Sequence, residues 1–251
     1  MNKEKIIVAL DVETAEEARQ IIADLRGEVG AFKIGLQLFT SAGASFVRET
    51  IEAGIKLFLD LKFHDIPNTV AKASVEAARL GVWMFNVHAM GGGEMMRRTV
   101  ASVREVCERE RLIQPKIIGV TILTSANQET LKEVGIERET LAQVLNLSRL
   151  TAECGLDGVV ASPLEIKAIR AGVAKEDFLI VTPGIRNQRS LIENQKSEKE
   201  ARIAGTSDDQ KRVMTAKDAI AAGANFLVIG RPILQAENRT AAARKILEEI
   251  A

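Results

Sequence analysis

The chain has 251 residues, 46% of them apolar and 27% charged, which excludes a disordered, collagen-like or disulfide-built protein and is ordinary for a globular domain. Lysine plus arginine balance aspartate plus glutamate at 34 each, so no overall charge attracts nucleic acid or an anionic membrane. We therefore expect a small ligand bound by local groups, with neither nucleic acid nor membrane as a partner.

We expect no export signal at the beginning of the chain. Its apolar run before Asp11 covers residues 6–10, which is too short for the core of a signal peptide. No stretch approaches the roughly 18 apolar residues of a membrane span. Cys107 and Cys154 lie in helical patterns without metal or redox spacing, so we interpret them as buried structural thiols. These features favour a cytoplasmic enzyme.

Short apolar runs alternate with longer segments of helical periodicity, which is typical of βα units around a parallel sheet. The predicted strands are residues 6–10, 31–34, 56–61, 82–87, 116–122, 158–161, 178–182 and 225–229. Helices are predicted at 14–26, 68–80, 94–110, 140–153 and 215–222, and their candidate N-caps include Thr14, Asn68 and Thr215. Several strands are preceded by a glycine suited to a left-handed helix end: Gly54, Gly81, Gly155 and Gly223. Eight such units predict a single (β/α)₈ TIM barrel over residues 1–251.

One segment interrupts this alternation. Residues 187–209 are polar and charged with few apolar positions, and they follow the seventh predicted strand. Long irregular segments in compact domains are commonly functional, and barrel active sites lie at the carboxyl ends of the strands. We therefore predict an extended polar loop at the active-site face.

The third predicted strand ends in charged residues. In the run LFLDLKFHD, Asp60 and Lys62 are two positions apart, so they share a face with Cα atoms roughly 7 Å apart, and Asp65 follows in the turn. Neighbouring carboxylates would keep Lys62 protonated as a proton donor. Alone, the pattern is more often a structural ion pair. Lys33, on the neighbouring strand, adds a second cation and favours catalysis.

The seventh and eighth strands end in PGIR and IGRPI, where barrels commonly bind phosphate. Gly230 lets the backbone approach an oxyanion, and Arg186 and Arg231 can each donate forked hydrogen bonds. Gly-Arg pairs are common in isolation. Their occurrence at both expected strand ends predicts a phosphate-binding site.

The remaining candidates have structural interpretations. His88 ends the fourth strand and is explained as well by packing as by acid–base catalysis, and His64 is expected to point away from the cavity. Residues 91–93 favour a tight turn because no GxGxxG pattern is present. Met95 and Met96 indicate packing of a helix face. No His, Cys and carboxylate cluster has metal-site spacing, so we expect a site without metal.

Six segments spread over nearly the whole chain resemble the bacterial type of the orotidine 5′-phosphate decarboxylase family: DLKFHDIPNTV, NVHAMGG, VTILTS, GLDGVV, VTPGIR and VIGRPI. The first is highly specific, and the shared order makes the match close. The resemblance implies a homodimer of (β/α)₈ barrels that converts orotidine 5′-monophosphate to uridine 5′-monophosphate and CO₂ without a cofactor.

The resemblance also implies roles for individual residues. Lys62 would donate the proton to C6 of the pyrimidine. Lys33, Asp60 and Asp65 would complete the charge array around the substrate, with Asp65 and Thr69 reaching into the partner subunit's site. The other substrate contacts would be Asp11 and Lys33 at the ribose, Thr124 and Ser125 at the base, and Pro183, Arg186, Gln210, Gly230 and Arg231 at the phosphate.

The chain departs from the family pattern between Arg186 and Gln210, because family members have a short loop there. The run DQKR matches the local motif and assigns Gln210 to the phosphate. Gln188 or Gln195 could take its part instead.

Two other functions stay open. A magnesium-dependent sugar-phosphate decarboxylase or aldolase of a related barrel family also carries a D-x-K-x-x-D segment, although a lysine at position 33 argues against it. A non-catalytic phosphate-binding barrel would use the same ion pairs for stability alone.

Overall fold

The strands form a closed parallel β-barrel in the computed structural model, which describes residues 2–186 and 212–251. Each strand pairs with the next along the chain, and β8 pairs with β1. The strands are β1 (Ile6–Ala9), β2 (Ala31–Gly35), β3 (Leu57–Phe63), β4 (Met84–His88), β5 (Lys116–Val120), β6 (Gly158–Val160), β7 (Leu179–Thr182) and β8 (Phe226–Ile229). The predicted (β/α)₈ barrel is confirmed, and the strand ends differ from the sequence prediction by no more than two residues.

Helices surround the barrel in the order that a βα repeat requires. They are α1 (Ala15–Leu25), α2 (Leu36–Glu52), α3 (Pro67–Arg79), α4 (Gly92–Glu110), α5 (Gln128–Glu133), α6 (Thr140–Glu153), α7 (Ile166–Gly172), α8 (Ala216–Ala222), α9 (Arg231–Leu234) and α10 (Arg239–Glu249). Thr14 and Thr215 cap α1 and α8 as predicted. The prediction of Asn68 as a cap is wrong. Helix α3 begins one residue earlier, at Pro67, because the fixed φ of proline suits the first helical position.

The turns between helices and strands follow the glycine pattern. Gly54, Gly81, Gly155 and Gly223 have φ values of 79°, 80°, 85° and 111°, which lie in the left-handed region as predicted. Both cysteines are buried and free, and Met95 and Met96 are fully buried. Within the described residues, no helix combines the length and apolarity needed to cross a membrane. The predicted polar loop at 187–209 lies outside the described residues.

The core has two parts, and the inner one positions the site. A large apolar cluster lies between the barrel and the helices. A smaller one fills the barrel itself and consists of Ile7, Ala9, Ala31, Phe58, Met84, Ile118, Val181 and Val228. Side chains two apart on a strand share a face, so the residues two positions beyond three of these also point inward. Those residues are polar: Lys33, Asp60 and Asn86.

Candidate active site

A cavity of about 570 Å³ opens at the carboxyl ends of the strands. Phe58 and Val228 of the inner cluster line it, so the apolar barrel interior forms its floor. Its size is that of a small-molecule site. The sequence-predicted residues that line it are Asp11, Lys33, Asp60, Lys62, Thr124, Pro183, Arg186, Gly230 and Arg231.

Alternating charges run along one side of the cavity, and we call Asp11, Lys33, Asp60 and Lys62 the charge row. Lys33 Nζ lies 3.2 Å from Asp11 Oδ1 and 3.1 Å from Asp60 Oδ2. Lys62 Nζ lies 2.8 Å from the other oxygen of Asp60, Oδ1. Asp60 therefore bridges two ammonium groups. Because two cations face two carboxylates, no charge in the row is buried without compensation.

Lys33 and Asp60 hold one another in the charged state. Burial disfavours the Lys33 ammonium, but the Asp60 and Asp11 carboxylates outweigh it and raise the Lys33 pKa. Burial also acts against the Asp60 carboxylate, yet Lys33, Lys62 and the amide of Asn86 together lower its pKa. Both side chains are therefore ionised at neutral pH. The Lys62 side chain is 31% exposed and that of Lys33 only 9%, so Lys62 is the ammonium better placed to meet a ligand.

The backbone at Lys62 is irregular. Its φ of 52° lies in the left-handed region, which costs a residue other than glycine about 1–3 kcal/mol. The register between β3 and β4 also shifts here, because Leu59 pairs with Phe85 and Phe63 with Val87. Four residues along β3 therefore lie opposite two residues along β4, which makes this part of β3 a bulge. Such bulges re-aim side chains beside active sites.

Asn86 of β4 contacts this irregular segment from inside the barrel. It is fully buried, its Oδ1 accepts the backbone N–H of Lys62 at 2.8 Å, and its Nδ2 donates to Asp60 Oδ1 at 2.6 Å. The sequence argument brought Asp60 and Lys62 together by regular strand alternation and missed Asn86. The signal that could have found it is its place two residues after the apolar Met84, on the inward face of β4.

The β7 and β8 ends form the other side of the cavity. Arg186 is 8% exposed, and Arg231 begins α9 directly after Gly230. A Cβ added at Gly230 would meet Asp11 and Ala9 at 3.6 and 3.7 Å, which are ordinary contact distances. Packing among the described residues therefore does not require glycine at this position. A ligand that approaches the backbone at Gly230 would require glycine there.

Three predicted residues do not line the cavity. Asp65, Thr69 and Ser125 are all exposed. The Asp65 carboxylate accepts the backbone N–H of Ile66 at 2.7 Å, and Ile66 itself is 67% exposed. The contacts expected for these residues, with a partner subunit's site and with the base, stay predictions. The candidate phosphate ligands outside the described residues are Gln188, Gln195 and Gln210.

The two histidines stack beside the ends of β3 and β4. The ring centroids of His64 and His88 are 5.2 Å apart, and His88 Nδ1 accepts the backbone N–H of Met90 at 3.4 Å. Burial, together with the neighbouring charges of His64 and Lys62, lowers the pKa of His88 to about 4, so this ring is neutral at pH 7. In residues 2–186 and 212–251, no group of three or more His, Cys, Asp or Glu could hold a metal ion.

Two further features of the site were not predicted. A Cβ at Gly35 would lie 3.2 Å from Lys33 Nζ, so glycine leaves room there for the charge row. Glu165 is buried and pairs with Arg212, which also donates to the carbonyl of Leu123 at 3.0 Å on the cavity wall. The pair of Glu165 and Arg212 joins residues far apart in the chain, so no local pattern predicts it.

The closed barrel, the cavity at its strand ends and the charge row define a (β/α)₈-barrel enzyme. The chain belongs to the Orotidine 5'-phosphate decarboxylase / HUMPS family, whose model matches residues 4–246. It is 49% identical over 249 residues to the orotidine 5'-phosphate decarboxylase of Syntrophotalea carbinolica, covering 99% of this chain and 96% of that protein. The same identity and length hold for the orotidine 5'-phosphate decarboxylase of Trichlorobacter lovleyi, at 99% and 95% coverage. A solved orotidine 5'-phosphate decarboxylase from Lactobacillus acidophilus superimposes with a TM-score of 0.80 at 33% identity, covering 98% of each chain. The family assignment made from the sequence is confirmed.

Proposed function

We propose that this protein removes the carboxylate of orotidine 5′-monophosphate to give CO₂ and uridine 5′-monophosphate, a step of pyrimidine synthesis. Its family and the relatives that are named for this activity support the substrate. The observation that carries the chemistry is the bridging of the Lys33 and Lys62 ammonium groups by Asp60 at the cavity. An ammonium that is fixed and charged in advance stabilises negative charge that develops beside it.

Substrate binding is assigned to both sides of the cavity. Guanidinium groups on the β7 and β8 ends would donate forked hydrogen bonds to the phosphate, and Gly230 would admit the oxyanion to the backbone. Binding energy from this distant group would hold the pyrimidine against the charge row. The full set of proposed contacts is Pro183, Arg186, Gln210, Gly230 and Arg231 at the phosphate, Asp11 and Lys33 at the ribose, and Thr124 and Ser125 at the base.

The proposed reaction has two bond changes. The bond between C6 and the carboxylate breaks, CO₂ leaves, and the electron pair stays at C6. Lys62 Nζ gives a proton to C6, and the lysine recovers a proton from solvent after product release. Lys33 and Asp60 hold the charges of the row during both changes. No metal or other cofactor takes part, because the substrate keeps the electron pair and the protein supplies the proton.

The same proposal includes a homodimer in which Asp65 and Thr69 contribute to the partner subunit's site. Asp65 and Thr69 are exposed and do not line the cavity of their own subunit. They flank Ile66, which is 67% exposed, and Met90 follows the neighbouring strand at 38% exposed. A contiguous exposed apolar patch rimmed by polar residues is typical of an association surface. The expected cytoplasmic location also stays part of this proposal.

A mixture of two inactive variants tests the shared site. Lys62→Ala and Asp65→Asn each remove one part of every site in their own homodimers. In the mixed dimer, one site carries both changes and the other carries neither, so random exchange should restore activity at about a quarter of all sites. Mixing after irreversible cross-linking of each homodimer is the control. No recovery after verified subunit exchange would show that Asp65 acts within its own subunit.

The decarboxylase assignment has a direct assay. Purified protein should remove the ultraviolet absorbance of orotidine 5′-monophosphate, with the same rate in the presence and absence of EDTA. Loss of activity in EDTA would favour a metal-dependent relative. Well-folded protein that leaves the absorbance unchanged would refute the proposal, and a phosphate-binding barrel without catalysis would then be the better interpretation.

A further inference from the structure

The amide of Asn86 links two parts of the charge row. One end of the amide contacts the carboxylate of Asp60, and the other contacts the backbone of Lys62. Asn86 is fully buried and does not line the cavity, so it lies behind the row.

The chemistry of both contacts fixes which way the amide points. The backbone N–H of Lys62 needs an acceptor, because the register between β3 and β4 shifts at this point of the sheet. The Asp60 carboxylate needs donors, because it is ionised. A primary amide supplies one acceptor and a donor group about 2 Å apart. Neither a carboxylate nor an apolar side chain of similar size supplies both.

The contacts also explain how Lys62 keeps an unfavourable backbone conformation. Its φ is 52°, and its own ammonium returns to Asp60 Oδ1, the same oxygen that Asn86 Nδ2 approaches. Asn86 thus closes a small network in which Asp60 orients the ammonium and the amide orients both Asp60 and the Lys62 backbone. Unusual backbone geometry persists when its surroundings determine it in this way.

We propose that Asn86 is a positioning residue for the proton transfer, and that its amide aims the Lys62 ammonium by holding the bulge of β3 and the Asp60 carboxylate together. This inference rests on the proposed decarboxylase function. It predicts a change in turnover without a matching change in substrate binding, since the phosphate-binding side of the cavity is built on other strands.

Asn86→Leu removes both hydrogen bonds at nearly constant side-chain size. A misplacement of a reacting group by about 1 Å can lower a rate about 100-fold. We therefore expect kcat to fall by about 10- to 100-fold while KM changes by less than about threefold. Thr121→Val is the matched control. Thr121 is fully buried directly after the neighbouring β5 and donates to the carbonyl of Val160 at 3.0 Å. Thr121→Val therefore also removes a hydrogen bond of a buried side chain, and Thr121 is not a member of the row.

Asn86→Asp changes the contact with Asp60 but keeps the contact with the Lys62 backbone. Its side chain has nearly the same shape as that of asparagine. It keeps an oxygen for the Lys62 N–H but sets a second carboxylate against Asp60. Two carboxylates in contact share a proton at low pH and repel one another when both ionise. The kcat of this variant should fall as the pH rises through a range in which the kcat of the parent is constant. Lower stability alone would not produce such a pH profile.

The outcomes separate this inference from the proposed function. A folded parent protein without decarboxylase activity would refute the function. An active parent whose Asn86 variants match Thr121→Val in kcat at every pH would overturn the role of Asn86 and leave the function standing. If Asn86→Leu does not fold, the pH profile of Asn86→Asp decides.

Discussion

The β3–β4 side of the cavity and the β7–β8 side are built in different ways. On the first side, Lys62 has a strained backbone, and its ammonium contacts a carboxylate that is itself held by Asn86. On the second side, Gly230 has a negative φ of −109° and is followed by the long side chain of Arg231.

The difference corresponds to what each side is proposed to do. A proton donor must be placed within a fraction of an ångström, which requires fixed partners and accounts for the strain. A dianionic phosphate attracts cations over a longer distance, so guanidinium groups and an open backbone are sufficient. Substitutions on the first side should therefore change kcat, and those on the second should change KM.

The largest effect is expected from Lys62→Ala. This change removes the proposed proton donor and the cation proposed to lie beside C6, so kcat should fall by more than about 10³-fold while KM changes much less. Steady-state absorbance assays would measure both constants, and circular dichroism would verify folding. Lys62→Arg is the control for charge, because arginine keeps the cation but does not release a proton. A kcat within tenfold of the parent for Lys62→Ala would contradict the assignment.

On the phosphate side, Arg231→Ala should lower kcat/KM by about 10- to 100-fold, mainly through KM, because one charge-assisted interaction is lost. The substrate analogue orotidine lacks the phosphate and gives an internal control. The parent and the variant should process orotidine with equal kcat/KM. An equal loss on both substrates would mean that Arg231 does not act on the phosphate, and the contrast between the two sides would disappear.

Two glycines offer a finer comparison of the two sides. Gly35 and Gly230 both have negative φ, −97° and −109°, so neither lies in the left-handed region that favours glycine. Alanine at position 35 would come within 3.2 Å of Lys33 Nζ and displace the charge row, so kcat should fall severalfold. Alanine at position 230 meets no such contact, and its effect should be a higher KM. The same kinetic change from both substitutions would argue against separate functions for the two sides.

Features of the fold and the site that depend on local sequence patterns could be predicted, whereas features that depend on contacts between distant residues could not. The strands and the polar strand ends follow from local patterns, so the barrel and the cavity-lining positions of Asp60, Lys62 and Arg231 could be predicted. The bulge at Lys62 could not, because it depends on how β3 pairs with β4. Asn86 was missed for the same reason. Asn86 contacts Lys62 and Asp60, which lie 24 and 26 positions earlier in the chain.

The smallest expected effect concerns His88, beside the β3–β4 side. Burial and the charges of His64 and Lys62 lower its pKa from 6.5 to about 4. Between these pH values the unfolded chain binds a proton at this position and the folded protein does not, so the contribution to stability decreases as the pH falls through that range. His88→Asn removes the titrating group, and the variant should therefore lose less stability than the parent between pH 6.5 and pH 4. The difference should be on the order of 1 kcal/mol after allowance for the partial exposure of the ring. Urea unfolding of both proteins at several pH values would measure this difference in stability. The same measurement on His64→Asn would show how much of the difference depends on the neighbouring ring. Equal losses in the parent and His88→Asn would show that folding does not lower the pKa of His88.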